Sequence, residues 1–265
     1  MTILSGDDII AGRQPKQIYS KGSVTTKGAG TFHSLWKVPG NPGAGNNPPL
    51  FSAGAGYVPN LNTPGAVQFT PPAGSEENVL ANFAIAGSVG GFLYMCDRVW
   101  ACSGLSANVT TTQSIVTPSD AARYLNFDGN ELYGEIYAAP GATGSVWTVS
   151  YTNSDNVSGR TATYTHPASA EVVGQLVPFT LQAGDRGVRS VQSFACSVAT
   201  GVVGDIGLTI VRQLVAVPLQ TNGFLADGLT LGLPRVANLA CITGYIMCSA
   251  ATSGLISGNF GLAQK

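Results

Sequence analysis

Charged side chains are scarce in this chain. Asp, Glu, Lys and Arg make up 10% of its 265 residues, whereas roughly 25% is typical of soluble domains. Removing charge from water at an interface is costly, so a surface poor in charge suits a protein that packs against other proteins. Glycine is abundant, with 34 residues. A soluble domain rich in small residues and without a partner therefore stays the alternative.

Lysine is absent between positions 38 and 264. Four of the five lysines lie in the first 37 residues together with one arginine: Arg13, Lys16, Lys21, Lys27 and Lys37. This mildly basic strip indicates either a solvated arm or an arm that docks on an acidic partner surface. The net charge of −1 gives no sign of nucleic-acid or anionic-membrane binding, and neither partner is expected.

A run of 18 apolar residues, which a membrane-spanning helix needs, is also missing. The N-terminus does not resemble a signal peptide, because it has no basic start and Asp7 and Asp8 interrupt its apolar residues. Without export, we expect the five cysteines to be reduced when the chain folds.

Residues for catalysis or metal binding are few. The only histidines, His33 and His166, are not spaced as HxxxH or HxH, and no CxxC or Cys–His cluster occurs. Glu131 and Glu135 would stand roughly 13 Å apart along one strand, beyond the ~5–9.5 Å of a glycosidase pair. We expect no enzyme, no cofactor and no metal site.

The segment LYMCDRVWACSGL (93–105) fits a strand better than a reactive site. Cys96 and Cys102 would lie roughly 20 Å apart on that strand, whereas a disulfide needs Cα atoms within about 7 Å. Buried thiols that pack as small apolar groups are therefore expected. Asp97 and Arg98 would face opposite ways, so each needs a partner on a different strand or subunit.

Alternating apolar and polar residues dominate the chain from residue 90 onward, as in SVWTVSY (145–151). About ten strands are expected: 91–100, 109–116, 131–138, 145–151, 159–165, 175–181, 189–198, 205–217, 241–249 and 254–264. Their spacing, with no long helix between them, predicts an all-β fold, an antiparallel jelly-roll-like β-sandwich. Short helices are predicted over 74–87, capped by Ser75, and over 117–125, capped by Thr117.

Proline, glycine and asparagine crowd residues 37–74, which predicts extended chain and turns. Recurring apolar residues such as Leu50 and Phe69 distinguish the stretch from a disordered linker. We therefore expect two parts, an extended N-terminal arm (1–74) and a β-sandwich domain (75–265). The arm would lie along its own body or along a neighbour.

Four strings carry a resemblance to a known group: GGFLYMCDRVWACSGL (90–105), YTNSDNVSGRTATYT (151–165), LQAGDRGVRSVQS (181–193) and GLPRVANLACITGYIMCSAATSGLISGNFGLAQ (232–264). Over about residues 88–264 the chain resembles tailed-bacteriophage and prophage proteins described as virion structural proteins or left without an activity. The resemblance implies a virion component attached to the capsid, made in the host cytoplasm, and it transfers no catalytic residues.

Composition and resemblance together predict a capsid decoration or cement protein on the outer capsid surface. Its partners would be the major capsid protein and further copies of itself, as a homo-oligomer. The arm would thread between capsid subunits, with an interface drawn from Arg13, Lys16, Tyr19, Lys21, Lys27, Phe51 and Tyr57. The alternatives are a tail, neck or fibre-base component, a carbohydrate-binding module that uses exposed Trp100 or Trp147, and a hydrolase that depends on His166.

Overall fold

The computed structural model describes residues 6–52, 57–72, 76–115, 123–124 and 126–264. Its elements in chain order are α1 (Gly6–Ala11), β1 (Gln17–Lys21), β2 (Phe32–Ser34), β3 (Gly40–Asn41), β4 (Asn78–Gly87), β5 (Gly91–Leu105), β6 (Gln113–Ser114), β7 (Asn130–Ala138), β8 (Ser145–Asn153), β9 (Arg160–His166), β10 (Gln175–Pro178), β11 (Val188–Cys196), β12 (Asp205–Leu219), β13 (Phe224–Asp227), β14 (Arg235–Val236), β15 (Ile242–Cys248) and β16 (Ile256–Gln264).

Antiparallel sheets build the described chain, so the predicted all-β class is confirmed. Each of the ten predicted strands has a counterpart, although 109–116 shrinks to the two residues of β6. The one helix that the described residues contain is the six-residue α1, which the sequence did not indicate. The jelly-roll strand order stays a prediction.

The chain divides into two compact units. Unit 1 draws on residues 1–46, 60–97 and 213–265, and unit 2 on 47–59 and 98–212. The predicted boundary between residues 74 and 75 lies outside the described residues. The division into arm and body therefore stays a prediction.

Unit 1 contains a sheet with the strand order β13-β4-β16-β1-β3, and β14 also pairs with β4. Its long strands β4 and β16 pair from Ile256 opposite Gly87 to Gln264 opposite Asn78. The stacked rings of Phe83 and Phe260, 6.0 Å apart, are buried on the inner face. A separate ladder joins β15 to β2 and to the first half of β5.

The helix predicted over 74–87 is wrong, because residues 78–87 form strand β4. Phe83, Ile85 and Gly87 are buried and Asn82, Ala84 and Ala86 are half-exposed, which is the two-residue period of a strand. Glu76 and Glu77, which precede Asn78, favoured the helix prediction because acidic side chains are favourable in the first turn of a helix. The second predicted helix lies almost entirely outside the described residues, since 117–122 and 125 are not among them.

Unit 2 contains a sheet with the order β6-β11-β8-β9 and a second ladder in which β7 pairs with β10 and β12. One apolar cluster fills this unit, and Trp147, Tyr151 and Phe194 are large members of it that are 0% exposed. They come from two strands. In β8 alternate residues face inward, as the sequence predicted, whereas in β11 the buried Val188, Val191 and Phe194 are three residues apart because irregularities in its pairing with β8 interrupt the alternation.

The described residues of the first 74 lie along the chain's own body. In unit 1, β1 pairs with β16 and β2 pairs with β15. In unit 2, Tyr57 bridges to Ala101 and Leu50 bridges to Ser103. Apart from β3, the described part of 37–74 is turns, bends and isolated bridges, as the proline and glycine content predicted.

Candidate assembly surface

Two of the seven predicted partner residues are buried in unit 1. Tyr19 is 0% exposed and Lys21 is 2% exposed. The Lys21 ammonium donates hydrogen bonds to the carbonyls of Val38 (3.0 Å) and Pro42 (2.8 Å). Burial lowers the pKa of Lys21 to about 8 and raises that of Tyr19. These two side chains therefore hold the unit together.

The other five predicted residues lie nearer the surface. Arg13 and Lys16 are exposed, and Lys27, Phe51 and Tyr57 are half-buried. Phe51 packs against the apolar cluster of unit 2. Arg13 and Lys16 both lie in the segment before β1, and the partner role of the whole set stays a prediction.

Two adjacent rows on the solvent side of the unit 1 sheet carry no charged side chain, although exposed Asp227 lies on the same side of β13, two residues after Leu225. One row across four strands consists of Leu225, Ala84, Asn259 and Ile18, each opposite the next. The adjacent row consists of Ala86, Ser257, Ser20 and Asn41. We call these eight residues the outer face. Leu225 is 77% exposed and Ile18 is 61% exposed.

Sequence reasoning missed this face, although its signal is present. In NVLANFAIAG the inward residues are large and apolar, and the outward residues Asn82, Ala84 and Ala86 are small and uncharged. An ordinary solvated sheet face carries charged and long polar side chains at such positions. A face of small neutral residues with large apolar residues on it instead has the composition of a protein interface.

The two charged residues in the middle of β5 have separate buried partners, as the alternation predicted: Asp97 pairs with the residue directly before β15, and Arg98 pairs with strand β7. In unit 1, Asp97 accepts a hydrogen bond from the backbone N–H of Cys241 at 2.8 Å. In unit 2, the Arg98 guanidinium lies 2.6 Å from the Glu135 carboxylate and 2.7 Å from the Tyr137 hydroxyl. All five cysteines are buried and free.

Arg98, Glu135 and Tyr137 form a buried group that has a structural role. The side chains of Arg98 and Glu135 are 3% and 0% exposed, and Tyr137 donates its hydroxyl hydrogen to the same carboxylate. Burial raises the pKa of Tyr137 well above its ordinary value. Each charge is compensated by its partners, so the group offers no reactive base. Glu131 instead accepts a hydrogen bond from Tyr133.

A second charged network holds the turn end of the β8–β9 hairpin in unit 2, where Tyr151 lies opposite Arg160. The Asp185 carboxylate accepts hydrogen bonds from Arg160 (2.9 Å), from the Asn153 amide (2.7 Å) and from the Tyr151 hydroxyl. The Arg160 hydrogen bond is the largest cause that lowers the pKa of Asp185. Burial and the bond to Asp185 raise the pKa of Tyr151 to about 12.

We expect Asp185→Asn to lower the free energy of unfolding near neutral pH by about 2 kcal/mol, since three charge-assisted contacts weaken. Because the folded pKa is depressed, this stability is present above the ordinary pKa of about 4 and is lost as pH falls toward the folded value. Urea unfolding at about pH 7 and pH 3 should therefore show a smaller acid loss for the variant than for the wild type. Asp155→Asn, which alters an exposed pair with Arg186, is the control. An equal acid loss in Asp185→Asn and the wild type would contradict the assignment.

His166 is part of the packing of unit 2. It is 1% exposed and stacks on Trp147 with ring centroids 4.8 Å apart. Nε2 lies 3.0 Å from the Gly141 carbonyl, and Nδ1 lies 3.6 Å from the buried Glu171. The Glu171 carboxylate also accepts a hydrogen bond from the Tyr164 hydroxyl. A side chain held in this way does not meet a substrate at the surface.

The carbohydrate-binding alternative loses both of its tryptophans. Trp100 is 2% exposed and Trp147 is 0% exposed, so neither can stack on a sugar. Within the described ranges, no three His, Cys, Asp or Glu residues come together as metal ligands. No described helix has the length and apolar character to cross a membrane.

Comparisons with known proteins give little further guidance. No protein-family model and no curated protein matches the chain. One similar solved chain comes from the structure of infectious bursal disease virus, Gt strain, with 9% identity, 95% of this chain and 82% of that chain covered, and a TM-score of 0.20. Another comes from the VP2 subviral particle of the same virus, with 10% identity, coverage of 96% and 81%, and a TM-score of 0.18. Scores this low do not establish a common fold, so the functional argument rests on the chain itself.

Proposed function

We propose that this chain is a virion structural protein, a decoration or cement protein that attaches to the outer capsid shell. The observation that carries the proposal is the outer face of unit 1, with its small neutral side chains around exposed Ile18 and Leu225. The free-energy cost of desolvating such a face on binding is low, because it contains few charged groups that would lose their hydration. The jelly-roll-like strand order, common in viral capsid domains, belongs to this proposal.

The outer sheet face of unit 2 differs in a way that suits contact with water. Thr161, Thr163 and Thr165 are exposed along β9, and they lie opposite Ser150, Thr148 and Val146 of β8. Hydroxyl groups keep their hydrogen bonds to water at such a surface. The attachment surface is therefore assigned to unit 1.

Size limits what the outer face does alone. Five strands spaced about 4.8 Å apart span about 19 Å, and ten residues of strand span about 33 Å, which gives roughly 600 Å² at most. A standard interface buries about 800 Å² on each partner. Attachment therefore needs contacts beside the sheet, and the exposed Arg13 and Lys16 at the start of β1 are placed to make them.

Charge placed on the outer face should abolish attachment. Ile18→Glu and Leu225→Glu would each bury an unpaired carboxylate against the shell, and we expect each to weaken binding by roughly a hundredfold. The measurement is co-sedimentation of purified protein with particles that lack it. Val146→Glu, which adds the same charge to the outer sheet face of unit 2, should bind as the wild type does. Full binding by both unit 1 variants would overturn the proposal.

Deletion of the N-terminal segment is a poor test of attachment. Removal of residues 1–40 would delete β1, an internal strand of the unit 1 sheet, together with buried Tyr19. Lost binding would then report unfolding. Single surface substitutions avoid this problem, because Ile18 and Leu225 leave the inner face of the sheet unchanged.

A further inference from the structure

Strand β1 has an edge that is only half covered. Beside it, β3 pairs with Ser20 and Lys21 alone. On its other side, β1 pairs with β16 along its whole length. Within the described part of the chain, no strand lies against the β3 side of Gln17–Tyr19. An uncovered strand edge presents backbone N–H and C=O groups to an incoming chain.

The backbone pattern shows which residue offers these groups. Gly22 donates its N–H to the Pro39 carbonyl at 2.9 Å, and Ser20 lies opposite Asn41. Alternate residues of a strand direct their backbone groups toward the same edge. Ile18 therefore points its N–H and carbonyl at the uncovered edge, whereas the backbone groups of Tyr19 point toward β16.

A cleft of about 550 Å³ lies along this edge. It is lined by residues 16–18, 41–44 and 63–68. The volume falls in the range of about 300–1,000 Å³ that is usual for ligand sites. The uncovered length of β1, residues 17–19, is three residues, or roughly 10 Å of strand.

Buried side chains of unit 1 hold the backbone of the segment that forms one side of the cleft. The Lys21 ammonium holds the carbonyls of Val38 and Pro42, and the Trp36 indole N–H donates to the Asn46 carbonyl at 2.7 Å. Gly45 lies so close to Trp36 that an added Cβ would come within 2.2 Å of the ring. A cleft held in this way needs little ordering when it binds.

Lys16 is the only charged residue among those that line the cleft. It is exposed, as is Arg13 three residues before it. The other polar lining residues are neutral: Gln17, Asn41, Thr63 and Gln68. Among the described residues that line the cleft there is no carboxylate, so the charge of this lining complements an acidic occupant.

We propose that this cleft binds a short, extended, acidic segment of the shell protein, which adds to β1 as a further strand. The segment would exchange backbone hydrogen bonds with Ile18 and place a carboxylate near Lys16, a recognition mode known as β-augmentation. The inference rests on the proposed function, since it names how the shell is recognised. Strand β1 of a second copy of this chain fits the cleft less well. The same edge of that strand already pairs with the β3 of its own copy, and this β3 would collide with the first copy beyond the cleft.

A peptide titration tests the cleft without any particle. The probe is a capped five-residue peptide of alternating valine and glutamate, compared with its valine–lysine counterpart. Amide hydrogen exchange followed by NMR should slow at Ile18 by about fivefold or more with the acidic peptide, since its N–H gains a partner. The amide of Tyr19, already directed at β16, is the internal control. No slowing at Ile18, or equal slowing with the basic peptide, would overturn the inference.

Two variants connect the cleft to the particle. Gly43→Phe should fill the cleft, since an added Cβ at Gly43 meets no atom within 4 Å, and Lys16→Glu reverses its charge. We expect both to lower particle affinity by about tenfold, whereas Lys37→Glu, at an exposed lysine outside the cleft lining, changes it little. Unchanged binding by both cleft variants would overturn the inference and leave the outer-face proposal standing. If the wild type itself does not bind particles, the proposed function fails and the peptide titration still decides the cleft.

Discussion

Arg98→Met should lower the free energy of unfolding by about 3–5 kcal/mol, because it leaves the buried Glu135 carboxylate without its cation. The carboxylate is 0% exposed, and after the substitution the Tyr137 hydroxyl still donates a hydrogen bond to it. Urea denaturation followed by circular dichroism measures the change.

The double variant Arg98→Met/Glu135→Leu separates charge from packing. Replacement of a whole buried ion pair by apolar residues is often close to neutral, so most of the lost stability should return. Arg235→Met removes the exposed pair with Glu77 and should cost below about 1 kcal/mol. A cost of Arg98→Met as small as that of Arg235→Met would show that the buried pair does not stabilise unit 2.

Trp147→Ala is the second substitution with a large expected cost, about 3–5 kcal/mol. Trp147 is fully buried, stacks on His166 and makes an edge contact with Phe194 at 5.8 Å. Its removal leaves a cavity in the cluster that fills unit 2. Circular dichroism is again the appropriate probe, because the substitution removes a fluorophore.

Trp147→Phe is the matched control for that cavity. It keeps a ring on His166 and should cost about half as much, since the cost of a large-to-small change grows with the volume left empty. If Trp147→Ala costs below about 1 kcal/mol, this tryptophan is not a central core residue. A sugar-binding role would then need to be reconsidered.

The sequence predicted strands such as β8 because their inward residues are large and apolar. Trp147, Val149 and Tyr151 alternate without interruption, and the structure buries all three. The same alternation correctly gave Asp97 and Arg98 separate partners, the residue before β15 and strand β7. Periodicity reports which face a side chain occupies, but it does not identify the partner across the sheet.

The sequence misled where local signals and tertiary pairing disagree. The acidic pair before Asn78 favours a helix start, yet pairing on both sides makes 78–87 a strand. Tyr19 and Lys21 were predicted to belong to the partner interface of an extended arm, and only the pairing of β1 with β16 puts them inside unit 1. Long-range pairs of this kind leave no mark on a local pattern. For the same reason, the outer face could not be assembled from the sequence.

The central claim is that the chain attaches to a virion shell through unit 1. The most direct test is the copy number and radial position of the chain in purified particles, measured by quantitative mass spectrometry and electron cryo-microscopy. Because a closed shell repeats its sites by symmetry, the account predicts on the order of hundreds of copies on the outer surface, with the outer face of unit 1 turned toward the shell. About a dozen copies at one vertex would instead place the chain in the neck or tail. A count of about a dozen copies, or a particle that does not contain the chain, would contradict attachment to the outer shell.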